Sequence, residues 1–412
     1  MIWPTAPIAK LSKVFGDGDW IESKDQSFDG IRLVQTGNVG EGNFKDRRDK
    51  ARFISEATFD RLNCNEVLPG DVLISRLPDP VGRSCIIPET GDKMITAVDC
   101  TIVRPDLAKL EPTFLVYYTQ TRAYLRDVED RCTGTTRQRI SRKHLGAISF
   151  PLPPLEEQKR IVEVLDKAFA ALDRARALAE ANLADAEELF SSAVDQLVSR
   201  NRQGWITGKF EEVVGDVKTG PFGSLLHKSD YVENHTPLVN PANIIDGRIV
   251  ANAAKTVSHS ALERLASYRM EAGDLVIGRR GEMGRCAAVA VNQAGWLCGT
   301  GSFFIRPKGG VLSELAAYML RTRTVVEQLT SIATGATMLN LSNKALGAME
   351  FAMPPKGKQS RMLDSINNFR EISRIAQEGY LQKINGLDDL RQAILQKAFA
   401  GELTNSNIEL VA

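Results

Sequence analysis

The chain of 412 residues has no apolar run near the ~20 residues that a membrane-spanning helix needs. Its opening, MIWPTAPIAKLSKVF, lacks the charged-then-apolar order of a secretory signal, so a cytoplasmic location with no membrane partner is expected. Cysteine is scattered: Cys64, Cys85, Cys100, Cys132, Cys286 and Cys298 stand at no CxxC spacing, and a cytosolic compartment disfavours disulfides. The four histidines, His144, His227, His235 and His259, form no HExxH or Cys/His pattern, so no metal is expected. No GxxxxGK[ST] phosphate loop occurs, so any ATP-driven step must come from another chain. The nearest echo of an amine-methylating Asn-Pro-Pro-Tyr motif is Asn240-Pro241-Ala242-Asn243, which lacks the second proline and the aromatic ring. Glu22-Ser23-Lys24 is an isolated Glu-x-Lys triplet of a kind common by chance. A large net charge is missing as well: the formal value is +1. Any nucleic-acid binding must then rest on local patches. The expectation is a chain that is not itself an enzyme and holds no cofactor.

What the chain does have is an internal repeat. PGDVLISR (Pro69 to Arg76) returns as AGDLVIGR (Ala272 to Arg279), and Gly82-Arg83 answers to Gly284-Arg285. The order then holds: IVRP at 102 and FIRP at 304, TGTTRQRIS at 133 and TGATMLNLS at 334, FPLPP at 150 and FAMPP at 351. Upstream, LVQTGNVGEG (Leu33 to Gly42) pairs with LVNPANIIDG (Leu238 to Gly247). A unit of about two hundred residues is too long for a solenoid repeat, so two similar domains in a pseudo-twofold arrangement are expected.

Each copy divides again. The first part reads as mixed α/β, with short β-branched runs, Gly/Asp-rich turns and a helix expected near Pro112 to Val128. After the double proline comes a different texture. From Leu155 to about Arg200 there is no Gly or Pro, and small or apolar residues recur at heptad spacing through Leu165, Leu172, Ala179, Ala186 and Ala193, with Leu189 between them. Such a helix would be roughly 70 Å long. Its start is marked by Pro153-Pro154, followed by Glu156 and Glu157 where the macrodipole favours negative charge. The second copy carries Ile366, Phe369, Leu390 and Ile394, and a bend or loose turn is expected at Gly379 and Gly386. A long helix with an apolar stripe needs a partner, and the simplest is the other copy's helix, run antiparallel. The fold class is therefore α+β: two pseudo-repeated α/β domains separated by two long helices that pack as an antiparallel coiled coil. The expected divisions are residues 1–152, 153–201, 202–353 and 354–412.

The combination of FPLPPLEEQKRIVEVLD at the start of one helix, TGTTRQRIS before it, and LRQAILQKAFAGEL at the end of the second helix resembles the specificity subunits of type I restriction-modification systems. The likeness covers essentially the whole chain. It departs from the pattern at Lys356-Gly357-Lys358, which replaces the acidic start Leu155-Glu156-Glu157 and is expected to alter where the second helix begins. The resemblance implies two target recognition domains, each reading one half of a split, asymmetric site on double-stranded DNA. It also implies helices that act as spacer and docking platform for two methyltransferase subunits and for restriction/translocase subunits. S-adenosylmethionine would then belong to the methyltransferase, and ATP and Mg to the restriction subunit.

Two reading domains on one spacer suit half-sites about one helical turn apart, ~34 Å. The basic candidates lie in the domains. In copy one they are Arg76 and Arg83 beside a Pro/Gly loop, and Arg137, Arg139, Arg142 and Lys143 in RQRISRKH. Copy two offers Lys218, His227 and Lys228, then Arg279, Arg280 and Arg285 in GRRGEMGRC, and Lys344. Arginine can pair bidentately with guanine, whereas lysine more often neutralises phosphate. Two other readings stay open: the specificity subunit of a smaller system that joins methylase and nuclease in one partner, and a coiled-coil scaffold whose domains bind proteins.

Overall fold

A computed structural model describes residues 3–134, 137–200, 202–222 and 225–403. The chain divides into two units, Met1–Glu180 with Gln382–Ala412, and Ala181–Leu381. Each unit takes one recognition domain and a length of both long helices.

In the first unit the strand inside PGDVLISR, Val72–Ser75, is buried at every residue, because both of its faces are covered. It lies in an antiparallel sheet of order Ser12–Asp17, Cys100–Pro105, Val72–Ser75, Ser84–Ile86. Side chains alternate across a strand. Val72 and Ile74 therefore face a core with Phe114, Leu115, Tyr124, Ile161, Leu165 and Phe169, while Leu73 packs with Val34, Val67 and Met94. The latter come from a second sheet, Arg52–Ile54, Ile31–Val34, Met94–Thr96, Glu66–Val67, in which Ile31–Val34 runs parallel to Met94–Thr96. The segment 112–128 is not one helix. It is broken into Pro112–Tyr118 and Arg122–Asp130, because the Thr121 side chain accepts from the Tyr124 N–H and caps a new helix.

The second unit repeats the plan. Its main sheet runs Val217–Thr219, Ser302–Ile305, Leu275–Gly278, Cys286–Ala288. Leu275 and Ile277 face one core and Val276 the other. Thr236–Val239 runs parallel to Leu297–Cys298, as its counterpart does in the first unit. What differs is the trimming: the hairpin Ile244–Ile245 with Arg248–Ile249 answers to a single bridge, Val39 with Phe44, in the first unit.

The long helices span Leu155–Ser199 and Lys356–Phe399. Within the first unit Arg391 reaches Asp173 at 2.9 Å and Arg176 pairs with Asp388, so the two segments run antiparallel. Within the second, the Ser373 hydroxyl donates to the Ala186 carbonyl at 2.8 Å. Leu165, Ala179 and Ile366 are buried, and Leu172 and Ile394 pack on the first unit's core. Three expected seam residues are not on it: Leu189 is 70% exposed, Leu390 48% and Phe369 36%. Phe190, four residues from both Ala186 and Val194, packs on the second unit's core beside Tyr318, and Arg391 lies against Asp173 and Phe169 of the facing helix. The second helix also runs unbroken through Gly379 and Gly386, which corrects the expected loose turn.

Both helices start immediately after their proline pair, despite Lys356-Gly357-Lys358 in the second. The reason is a buried glutamine that composition alone hides. Gln158 donates through Nε2 to the carbonyls of Lys109 (2.8 Å) and Pro153 (2.9 Å) and accepts from the Glu111 N–H (2.9 Å). Gln359 does the same with Gly310 (2.9 Å), Pro354 (2.9 Å) and Leu312 (2.7 Å). The side-chain lock, not the dipole, fixes where each helix begins.

Candidate nucleic-acid interface

The TG motifs are loops closed by their own main chain. Thr133 and Arg139 exchange both N–H to carbonyl bonds at 2.9 Å, and Thr334 and Asn340 do so at 3.0 and 2.7 Å. Gly134 (φ +108°) and Gly335 (φ +115°) make the reversal. A Cβ on either would lie 2.4 Å from the Arg137 carbonyl oxygen or 2.3 Å from that of Met338, so only glycine fits. The serine that ends each motif caps the next short helix: Ser141 accepts from the His144 N–H at 3.1 Å and Ser342 from the Ala345 N–H at 3.0 Å.

Each loop docks on the end of the repeated strand. Ile140 donates to the Arg76 carbonyl at 3.3 Å, and Leu341 to that of Arg279 at 2.8 Å. The first unit thus gathers Arg76, Arg139 and Arg142 with two acids that sequence reading passed over: Arg76 lies 3.2 Å and Arg142 3.8 Å from Asp17, and Arg139 lies 3.0 Å from Asp99. Arg137, Arg142 and Lys143 are exposed around them. In the second unit the loop brings together Arg279, Arg280 and, on the capped helix, Lys344, with Arg279 donating to the Asn340 side-chain oxygen at 3.3 Å. Among the described residues no carboxylate lies within ion-pair distance of Arg279 or Arg280. Burial, and then Arg280 beside it, hold the Arg279 guanidinium below its ordinary pKa.

Two candidates are structural rather than free contacts. Arg83, 8% exposed, spends its guanidinium on five main-chain carbonyls, those of Thr36, Val39, Leu77, Pro78 and Pro80. Arg76, 4% exposed, donates to the Val98 carbonyl and pairs with Asp17. Burial lowers the pKa of both. Arg285 is half-buried but held by Glu282 at 2.7 Å. Lys218 is exposed on the strand Val217–Thr219. His227 and Lys228 are exposed beside a separate 3-10 turn whose bonds go to Asp230.

Two exposed aromatics also went unnoticed in the sequence. Trp20 is 70% and Phe222 59% exposed. Each stands two residues after a glycine that the backbone crowds, since a Cβ on Gly18 would meet the Thr96 carbonyl oxygen at 2.3 Å and one on Gly220 that of Gly299 at 2.0 Å. The same spacing in both copies was the available signal. Neither aromatic is at a heptad or alternating position, so pattern reading ignored them.

A family model for the type I restriction modification DNA specificity domain matches residues 8–181 and again 214–385. The chain is 20% identical to the specificity subunit of the type I restriction enzyme StySPI of Salmonella potsdam, over 98% of this chain and 89% of that one. It is likewise 20% identical to the EcoKI specificity subunit of Escherichia coli K12, over the same shares. Among solved structures, one from a study of complex assembly and conformational transition of the type I R-M system superposes with a TM-score of 0.75 at 19% identity, covering 97% of this chain and 98% of the other. The HsdS subunit from Thermoanaerobacter tengcongensis gives 0.58 at 19%, covering 98% and 97%.

Proposed function

Since the chain belongs to the type I restriction-modification DNA specificity family, we propose that it reads a split, asymmetric sequence on double-stranded DNA, one half-site per recognition domain, and performs no chemistry itself. The observation that carries this reading is a loop closed by the same main-chain bonds in each unit, with side chains that differ between the copies. A constant frame with changed side chains suits two different half-sites, where identical domains would call for a palindrome.

The chain would dock two adenine-N6 methyltransferase subunits, which bring S-adenosylmethionine, and restriction/translocase subunits, which bring ATP and Mg. Each target adenine would be extruded from the stack into the methyltransferase. Support for docking comes from Phe369, Ile372 and Ile375, exposed on successive turns of the second helix. No described helix is long and apolar enough to cross a membrane.

The test is single-molecule methylome sequencing of host DNA with and without the gene. Loss of one bipartite N6-methyladenine motif on deletion is expected. An unchanged methylome, with gene and partner expressed, would refute the reading. The scaffold alternative predicts binding that is indifferent to salt, whereas phosphate neutralisation makes affinity fall steeply as salt rises.

A further inference from the structure

The repeat allows the two reading loops to be compared position by position. Where the first unit has Asp17, Arg76, Asp99, Arg139 and Arg142, the second has Thr219, Arg279, Gly301, Asn340 and Asn343. The backbone is held by the same bonds in both: the Thr-Gly closure, the link to the arginine carbonyl, and the serine cap. Of these five positions only the central arginine is kept. Three arginines sharing two carboxylates have been replaced by one arginine, two amides, a hydroxyl and a bare backbone.

Stability does not ask for this change, because the fold tolerates both sets on one frame. Three residues after the first position of each set comes an exposed aromatic, Trp20 after Asp17 and Phe222 after Thr219, which water alone does not favour. The conserved arginine turns inward in both copies: Arg76 to Asp17, Arg279 to the Asn340 oxygen and to within 5.4 Å of the Phe303 ring. It organises the ring. At the loop's closing position Arg139 and Asn340 are each half-buried and anchored on one side, by Asp99 and by Arg279, whereas the exposed Arg142 has only a looser 3.8 Å contact with Asp17.

These two residues have definite donor and acceptor patterns. Arg139, held 3.0 Å from Asp99, keeps the rest of its guanidinium fork for two parallel acceptors, which guanine O6 and N7 supply. Asn340 has its oxygen fixed by Arg279, leaving that oxygen's second lone pair and the amide N–H groups to face an acceptor–donor pair, which adenine N7 and N6 supply. We infer that Arg139 specifies a guanine in one half-site and Asn340 an adenine in the other, the two being the same position of the repeat. This rests on the DNA-reading function proposed above.

The experiment expresses full-length variants with the partner methyltransferase in a host lacking the wild-type gene and sequences the methylome. Arg139→Ala and Arg139→Lys are both expected to relax one guanine in one half-site, by roughly ten- to a hundredfold in preference, with the other half-site intact. Asn340→Ala is expected to relax one adenine in the other half-site only. Asn340→Asp, which keeps the oxygen that Arg279 holds but removes the donor, is expected to do the same, and an unchanged melting temperature separates this from misfolding. A wild-type motif with Arg139→Lys would reduce Arg139 to a phosphate contact and overturn the inference. So would relaxation at a base other than guanine or adenine, or in the same half-site for both. Loss of the whole function would show differently: wild-type protein that confers no motif sinks the DNA-reading proposal itself.

Discussion

Replacing Gln158 by methionine keeps the volume of the side chain and deletes both polar atoms of the lock that begins the first long helix. Three main-chain groups then lose their partner: the Glu111 N–H and the carbonyls of Lys109 and Pro153. Gln158 is 0% exposed. A buried N–H without an acceptor costs about 1–3 kcal/mol, while a carbonyl retains a second lone pair and loses less. The sum is about 3 kcal/mol. Gln359→Met removes the same three bonds at nearly the same lengths, so its cost should agree within about 1 kcal/mol, and because the two share no partner the double variant should be additive. Guanidinium unfolding followed by two probes, one per unit, reads both losses. Amide exchange at Glu111 and Leu312 should accelerate in the corresponding variant alone. A cost below about 1 kcal/mol at both sites would mean that the helix starts are set by the prolines, and the reasoning would fail.

Other expectations follow from single features. Gly379 and Gly386 sit in unbroken helix with nothing within 4 Å of a built Cβ, so each alanine should stabilise by about 1 kcal/mol in denaturant titration, and a loss would reveal a kink. Arg83→Met should lower the melting temperature strongly, by five main-chain contacts, yet leave the salt dependence of DNA binding unchanged; a shallower salt slope would return Arg83 to the interface. The Asp230 carboxylate is held below its ordinary range first by the His227 N–H and then by Arg264. Its contribution is present above the unfolded value and lost as pH falls through the folded one. The difference in melting temperature between wild type and Asp230→Asn should therefore be full near pH 6 and shrink as pH falls below the ordinary carboxylate range.

Much of the architecture is written in plain periodicities. Val72-Leu73-Ile74 and Leu275-Val276-Ile277 alternate between two cores, and a run of apolar residues bounded by Gly-Asp and Arg announces a strand covered on both faces. The helix seams are legible only where they are apolar. At Ser373 the seam uses a hydroxyl bonded to the Ala186 carbonyl, and at Arg391 a guanidinium lies 4.0 Å from the centre of the Phe169 ring. A hydrophobic pattern slides past such residues onto Phe369 and Leu390. Leu189 follows Ala186 by three residues and Phe190 by four, and one helix face accommodates either spacing, so the apolar pattern does not choose between them.

For the interface, the type of residue was readable and its availability was not. Arg83 looks like any loop arginine until its five carbonyl partners are seen. Arg139 and Asn340 occupy one position of a motif found by repeat matching, yet their partners Asp99 and Arg279 come from distant segments. Trp20 and Phe222 carry information in the comparison of copies, not in either copy alone.

The first unit is completed by residues from the far end of the chain. Leu395 and Ala398 are buried in a core with Phe114, and the Phe399 ring lies 5.0 Å from it. During translation that core must wait: at ~5–20 residues per second, the interval between synthesis of its first and last walls is on the order of tens of seconds. The second unit, continuous from Ala181 to Leu381, waits about half as long. The ribosome therefore releases the later-made half ready to close while the earlier one still shows its aromatic interior, and it is at that half that a chaperone or a protease will find its opening.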